Sequence, residues 1–265
     1  MNSPTNLGYR TDFIFHRRDG IVEEFDDYWI VRTPSNPTFW FGNLVLFKRA
    51  PRADDLAPFL AIHKREFGGA LNHHVFGWDE ERERDISAFL AAGFQTSHGI
   101  ALTMSTYDGG AAINPALSVR MIRSSSEWQQ VADLQILVDR VDFKYAEDGG
   151  EFRRVQVDSS RRMVADKRGH LWGAFIDEEL VGSMGLFFDD PGEIGRFQYV
   201  TTRPDHRRQR ICTTLLHHSV RHAFETVGAQ HVVICTGAED DNPAIPTYKN
   251  FGFQLTAPNY ALKRV

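Results

Sequence analysis

One run constrains this chain more than any other: Tyr199-Val-Thr-Thr-Arg-Pro-Asp-His-Arg-Arg-Gln-Arg-Ile-Cys-Thr-Thr-Leu-Leu. A strand ends in it, a tight loop follows at Pro204-Asp205, and a long helix runs from about Arg208 to Val227. The first turn of a helix leaves backbone N–H groups without intrahelical partners, and the helix dipole adds to their positive potential. Such an end is a ready anion site. Arg207, Arg208 and Arg210 gather there. Cations at a helix N-terminus oppose the dipole, which makes sense when an anion sits between them; the plainer alternative is a solvated basic turn.

The segments around this run read as alternating strands and helices. Leu117 to Ile122 is a strand, Ser126-Glu-Trp-Gln starts a helix with Glu127 in its first turn, and Glu151 to Asp166 is a polar helix. Leu171–Ile176 and Leu180–Phe188 form a hairpin across residues 177–179, and Arg196 to Thr202 is the strand that enters the loop. His231 to Thr236 is a buried strand, a short helix covers about Pro243 to Asn250, and Asn259 to Lys263 closes the order. That order, β-α-α-β-β-β-α-β-α-β, predicts an α/β fold with a mixed central sheet flanked by helices. Upstream, Tyr28 to Arg32 and Phe39 to Phe47 read as strands, and Asp54 or Asp55 caps a helix to about Phe67. A short strand follows at His74 to Trp78, then a helix over 79–92 stopped by Gly93, then a strand from Gly99 to Met104. The turn-rich Tyr107 to Pro115 is a seam. It divides 265 residues into 1–108, a linker at 109–116, and 117–265, enough chain for two cores.

The halves share a repeat. Phe89-Leu-Ala-Ala-Gly-Phe-Gln aligns with Tyr248-Lys-Asn-Phe-Gly-Phe-Gln, 159 residues on, and the same offset places His73-His-Val-Phe on the strand at Val232. This predicts a tandem fold; an unrelated α/β extension is the alternative.

Two blocks carry a family resemblance. Val200, Pro204 and Arg207, followed by Arg207-Arg-Gln-Arg-Ile-Cys, are similar to the acetyl-CoA signature V-x-x-x-P-x-x-R and R/Q-x-x-G-x-G/A of the GCN5-related N-acetyltransferase (GNAT) family. Ala244, Tyr248, Gly252 and Phe253 resemble its N-x-x-A-x-x-x-Y-x-x-x-G-F block, with Asn242 one residue late and Asp241 in the register position. The resemblance covers roughly 117–265. It implies that the C-terminal half binds acetyl-CoA, with the pyrophosphate on Arg207, Arg208, Gln209, Arg210, Ile211, Cys212 and Thr213, and the pantetheine arm along Tyr199, Val200, Thr201 and Thr202. Asn242 would contact CoA, Arg203 and Arg208 would assist, and Tyr248 would protonate the departing thiolate. Arg210 and Cys212 depart from the family's small residues: an Arg there brings a β-carbon toward the phosphate, yet also a guanidinium.

The same test on the first half fails. Phe89 replaces the tyrosine, and Gly42 to Pro51 leads to its helix without the loop motif, with only Arg49 and Arg52 nearby. A degenerate copy is implied. For the general base, Glu193 leads Asp189, Asp190 and a water chain. His218 and His222 have metal-ligand spacing, with His217 beside them, but no third ligand accompanies them, so no metal is expected. Glu239-Asp-Asp either draws in a cationic acceptor or caps a helix.

The charge balance of 30 basic and 35 acidic residues argues against nucleic acid. No apolar run is long enough for a membrane span, no secretory leader is evident, and the two cysteines, Cys212 and Cys235, suit a reducing cytoplasm. The expected activity is direct acetyl transfer from acetyl-CoA to a primary amine on a small molecule or peptide. A non-catalytic CoA or acyl-CoA sensor and a longer acyl donor are the alternatives, and the oligomeric state is open.

Overall fold

The computed structural model describes residues 2–80, 85–143, 150–190 and 192–265. They form two compact units: Met1–Ala101 with Cys235–Asn242 and Leu255–Val265, and Leu102–Ile234 with Pro243–Gln254. The division departs from a simple cut at 109–116, because the C-terminal residues cluster with the N-terminal ones.

In the first unit, α1 (Leu7–Asp19) is followed by β1 (Ile21–Glu24), β2 (Tyr28–Arg32), β3 (Leu44–Phe47), α2 (Leu56–Phe67), β4 (His74–Trp78), α3 (Ser87–Ala91) and most of β5 (Gln95–Met104). The sequence reading has no element before Tyr28, so α1 and β1 are additions. Asn6 caps α1, its side-chain oxygen accepting from the N–H groups of Gly8 and Tyr9 at 3.0 and 3.4 Å. The helix is tied down over long sequence separations: the Tyr9 hydroxyl donates to the Tyr260 carbonyl (2.6 Å) and the Asn6 amide to that of Pro258 (2.8 Å). The strand expected from Phe39 to Phe47 is shorter. Trp40–Gly42 is a 3₁₀ turn, locked by Asn43, whose amide donates to the carbonyls of Asn36 and Phe39 at 3.0 and 2.9 Å. Of the helix expected over 79–92, Ser87–Ala91 is present, and residues 81–84 lie outside the described residues. Phe47, Phe59, Phe76, Phe89 and Phe94 fill the core. His63 is buried near them, and burial pushes its imidazole down to about 4.

The second unit holds β6 (Ser118–Met121), α4 (Ser125–Val138), α5 (Glu151–Ala165), β7 (Gly169–Ile176), β8 (Glu179–Phe188), β9 (Ile194–Thr202), α6 (Ile211–Arg221), the start of β10 (His231–Gly237) and α7 (Ala244–Phe251). A π-helical turn at Asp139–Phe143 extends α4, and another at His222–Val227 extends α6. α4 starts at Ser125, one residue before the expected start, and Ser124 caps it in a reciprocal box with Glu127. The helix expected from Arg208 begins at Ile211, after a separate 3₁₀ turn at Pro204–His206. Strand order is β6-β7-β8-β9-β10, antiparallel except for the parallel β9–β10 pair. Leu171, Phe175 and Leu180 pack under α4 and α5. His170 and Trp172, which alternate with them along β7, meet α6 on the opposite face.

The chain ends in β11 (Gln254–Arg264), which pairs antiparallel with β4 from Ala261↔Gly77 to Arg264↔His74. This pairing gives the first unit the order β1-β2-β3-β4-β11-β5 and explains why its boundary ignores chain order.

The repeat is visible at the level of hydrogen bonds. β1-β2-β3-α2-β4-α3-β5 and β7-β8-β9-α6-β10-α7-β11 are the same succession, each with a parallel pair, β3–β4 and β9–β10, joined through the helix between them. Both short helices end on a left-handed glycine, Gly93 (φ +84°) and Gly252 (φ +119°). The next N–H returns to the matching carbonyl in each, Phe94 to Phe89 and Phe253 to Tyr248, both at 3.0 Å.

Candidate active site

The centre of the second unit is an irregularity in β9. Its pairing with β8 passes from Gly185↔Gln198 to Ser183↔Thr201, so Tyr199 and Val200 together face Met184. This bulge bends the strand, and Tyr199 takes φ +55°, a conformation costing a non-glycine residue about 1 kcal/mol. On the other edge, the ladder with β10 runs from His231↔Ile194 to Val233↔Arg196 and stops there, while β9 continues to Thr202. The backbone of Tyr199–Thr202 therefore lies beyond the last rung.

β9 leads into the arginine loop. Arg208 and Arg210 both have left-handed backbone, at φ +65° and +59°. The second value explains why a glycine suits this position: the need is conformational as well as steric. Helical bonding in α6 begins with the Thr214 N–H to the Arg210 carbonyl (2.9 Å), and Arg210 supplies no side-chain cap. The N–H groups of Ile211, Cys212 and Thr213 thus point out of the first turn, with the helix dipole behind them. Asn114, from the segment read as a linker, holds the loop in shape, donating through its amide to the Gln209 carbonyl (3.0 Å) and through its N–H to Thr214 Oγ1 (2.9 Å).

The arginines divide into two groups. Arg207 makes a two-pronged pair with Asp142 at 3.1 and 2.6 Å, and Arg203 pairs with Glu179 and Asp205. Arg208 and Arg210 are exposed and, among the described residues, pair with no carboxylate. Sequence reading found neither Asn114 nor Asp142. Each lies far along the chain from its partner, and no local pattern marks it.

Tyr248, on α7, is buried, with its ring edge-on to Phe253. Burial first, and the Cys212 thiol second, push its phenol above the ordinary range, so it stays protonated. Burial pushes the Cys212 thiol up to about 12, which makes it an inert packing group beside the phenol rather than a nucleophile. The structure thus brings Tyr199–Thr202, Arg207–Thr213 and Tyr248 into one unit.

Asn242 belongs to the first unit, where its amide donates to Thr236 Oγ1 (2.9 Å) and the Gly237 carbonyl (2.8 Å). Glu193 is exposed just before β9, six residues or roughly 20 Å of strand from Tyr199. Asp189 accepts the Ile194 N–H (2.8 Å), and Asp190 pairs with Arg168 (3.2 Å). Pro243 precedes α7 without a side-chain bond, so Glu239–Asp241 does not cap that helix. His218 and His222 pack on Trp172, His222 lies 4.6 Å from His170 between ring centres, and His217 Nδ1 is 2.9 Å from the Tyr107 hydroxyl. Among the described residues, no three His, Cys, Asp or Glu side chains are gathered as for a metal ion.

A bulged strand, an arginine loop with an open helix N-terminus and a buried tyrosine thus share one α/β unit. Residues 135–253 match the family model of the acetyltransferase (GNAT) family, so this stretch of the chain carries a GNAT acetyltransferase domain. It resembles a functionally unknown conserved protein from Staphylococcus epidermidis (13% identity, 93% of this chain and 94% of that one, TM-score 0.73). It also resembles a GCN5-related N-acetyltransferase from Kribbella flavida (13% identity, 98% and 96% covered, TM-score 0.64). A third similar structure is a tandem GNAT protein from the clavulanic acid biosynthesis pathway (16% identity, 90% and 82% covered, TM-score 0.58). At these identities the likeness is one of fold, and the fold is tandem GNAT-like. No curated protein sequence matches the chain. Among the described residues, no helix is long and apolar enough to cross a membrane.

Proposed function

We propose that the chain transfers an acetyl group from acetyl-CoA directly to a primary amine of a small molecule or peptide, and that its first unit is a copy of the fold without a cofactor site. The observation that carries this reading is the loop from Arg207 to Thr213. Its three outward N–H groups and two arginines that pair with no carboxylate among the described residues form a cradle for a pyrophosphate. The backbone of Val200–Thr202, past the end of the β10 ladder, offers hydrogen bonds to the amides of the pantetheine arm. The acceptor ammonium loses a proton to water. The neutral nitrogen then attacks the acetyl carbonyl, a C–N bond forms, and the C–S bond breaks with its electron pair on sulfur. The Tyr248 hydroxyl gives its proton to that thiolate and regains one from the newly formed amide nitrogen through solvent. A carboxylate base at Glu193 stands about 20 Å along β9 from the bulge, which favours water as the first proton acceptor.

The test pairs a thermal shift with CoA and release of CoA thiol from acetyl-CoA across an amine panel. A clear shift and amine-dependent release are expected. A shift without release from any amine identifies a CoA-binding sensor instead, and no shift removes the cofactor site altogether.

A further inference from the structure

Gln135 lies on α4, is 1% exposed, and has no hydrogen-bond partner for either its amide nitrogen or its amide oxygen among the described residues. It is the one side chain described with both polar atoms left in this state. A buried amide without partners is disfavoured by the fold, since each unmet group keeps its full desolvation penalty. A well-packed core does not call for glutamine at such a position.

The surroundings say what it faces. Gln135 shares the inner stripe of α4 with Trp128, Val131, Ala132 and Val138, which pack on Leu171, Phe175 and Leu180 of the sheet. The helix is pinned at both ends. Gln130 Oε1 accepts the Leu180 N–H (2.8 Å) where β8 begins, and Asp142, one turn past the end of α4, holds Arg207 of the loop. Between these points α4 crosses from β8 to β9 and packs on both. On the sheet below, Ser183 pairs with both Gly173 and Thr201, and Gly173 packs against Ile122, Phe175 and Leu180, so the two hydroxyls lie on the α4 side. Their oxygens bond each other at 2.7 Å, one residue past the bulge. Gln135 lies on α4 between the two pinned points, and its amide is left unmatched among the described residues.

We propose that Gln135 binds the reacting groups: its Nε2–H donates to the carbonyl oxygen of the acetyl thioester, and its Oε1 accepts an N–H of the incoming amine. The inference rests on the acetyl-CoA reading above and deepens it. A single neutral amide offers both N–H donors and a carbonyl acceptor side by side, which serves a carbonyl oxygen and an amine N–H at once. As charge grows on the carbonyl oxygen the bond from Nε2 strengthens, so Gln135 contributes to turnover as well as binding.

The test uses Gln135→Met and Gln135→Leu in the full chain, which remove both polar atoms at similar volume. Calorimetry with acetyl-CoA and with CoA isolates the acetyl group. The wild type should bind acetyl-CoA about fivefold more tightly than CoA, the variants should bind both alike, and CoA affinity should not change. Thiol release with an amine that the wild type accepts should fall about 10-fold or more, and the melting temperature without ligand should hold or rise. Three outcomes overturn the inference: no preference for acetyl-CoA in the wild type, the preference kept in both variants, or both variants failing to fold. In the last case the amide serves the core. A wild type that does not bind CoA at all defeats the underlying reading instead, and calorimetry separates the two failures.

Discussion

The turns β3→α2 and β9→α6 occupy the same place in the two units, and they resolve the same electrostatic problem in opposite ways. In the first, the residue before the helix is Asp55, in ordinary right-handed backbone. Its carboxylate takes both prongs of Arg49 at 2.5 and 2.8 Å and the Arg52 N–H at 2.7 Å. The Arg49 hydrogen bonds hold that carboxyl below its usual range. The anion at this helix start belongs to the chain. In the second, the same position is Arg210, in left-handed backbone, with Arg208 nearby and, among the described residues, no carboxylate on either. The strands differ in parallel. β2 and β3 keep one register throughout, and β3 pairs with β4 through its last residue, Phe47. β9 is bulged and leaves β10 at Arg196. A continuous ladder and an internal anion close the first turn, whereas the second has an interrupted ladder and, among the described residues, no carboxylate at its helix start.

The comparison breaks most sharply at Tyr248, which stands where the first unit has Phe89. Tyr248→Phe makes the second unit like the first at this point, and turnover should fall roughly 10²-fold or more with CoA affinity unchanged. Steady-state thiol release and calorimetry on the same sample check both halves. Turnover equal to wild type removes the phenol from the mechanism.

The sequence carried this likeness only where the physics is local. Gly93 and Gly252 end helices because a left-handed residue needs no distant partner, so the two Gly-Phe blocks align in the sequence itself. The arginine loop was legible for the same reason. The bulge at Tyr199 was not, because no glycine marks it; the pairing of β8 and β9 forces it. α1 was hidden because its anchors, Tyr260 and Pro258, lie more than 250 residues away. The return of β11 to β4 is a choice among sheet edges that spacing cannot make. Gln135 reads as an ordinary polar helix residue until the fold buries it. Asp55 was read as a possible cap, but its carboxylate is engaged by Arg49 and the Arg52 N–H instead.

A smaller effect follows from moving the anion across. Arg210→Asp places a carboxylate before α6, as Asp55 stands before α2. It should compete with the pyrophosphate for the N–H groups of Ile211–Thr213, weakening CoA about 10-fold or more, with the loss reduced at high salt. The mirror change, Asp55→Asn, should leave CoA affinity as it is. Calorimetry at two salt concentrations measures both. Equal affinity in Arg210→Asp and wild type would show that the helix start is not where the anion binds.

The smallest effect isolates backbone from charge, and its sign differs between the turns. At φ +59°, Arg210 pays about 1 kcal/mol for its β-carbon, which glycine does not. Glycine also loosens the unfolded chain, an opposing term of about 0.4–1 kcal/mol. Arg210→Gly should therefore leave stability level or raise it by about 0.5 kcal/mol, a shift of about 1–2 °C in melting temperature. Asp55, at φ −80°, has no strain to relieve, so Asp55→Gly gains nothing, strands Arg49 and lowers the melting temperature. Scanning calorimetry of the two variants reads the contrast directly. CoA affinity in Arg210→Gly should drop no more than about fivefold, because the three backbone donors remain and one exposed cation is lost. A melting temperature that falls equally in both variants would mean that Arg210 holds the loop by its side chain, and that glycine's usual place there reflects contact with the ligand rather than the turn itself.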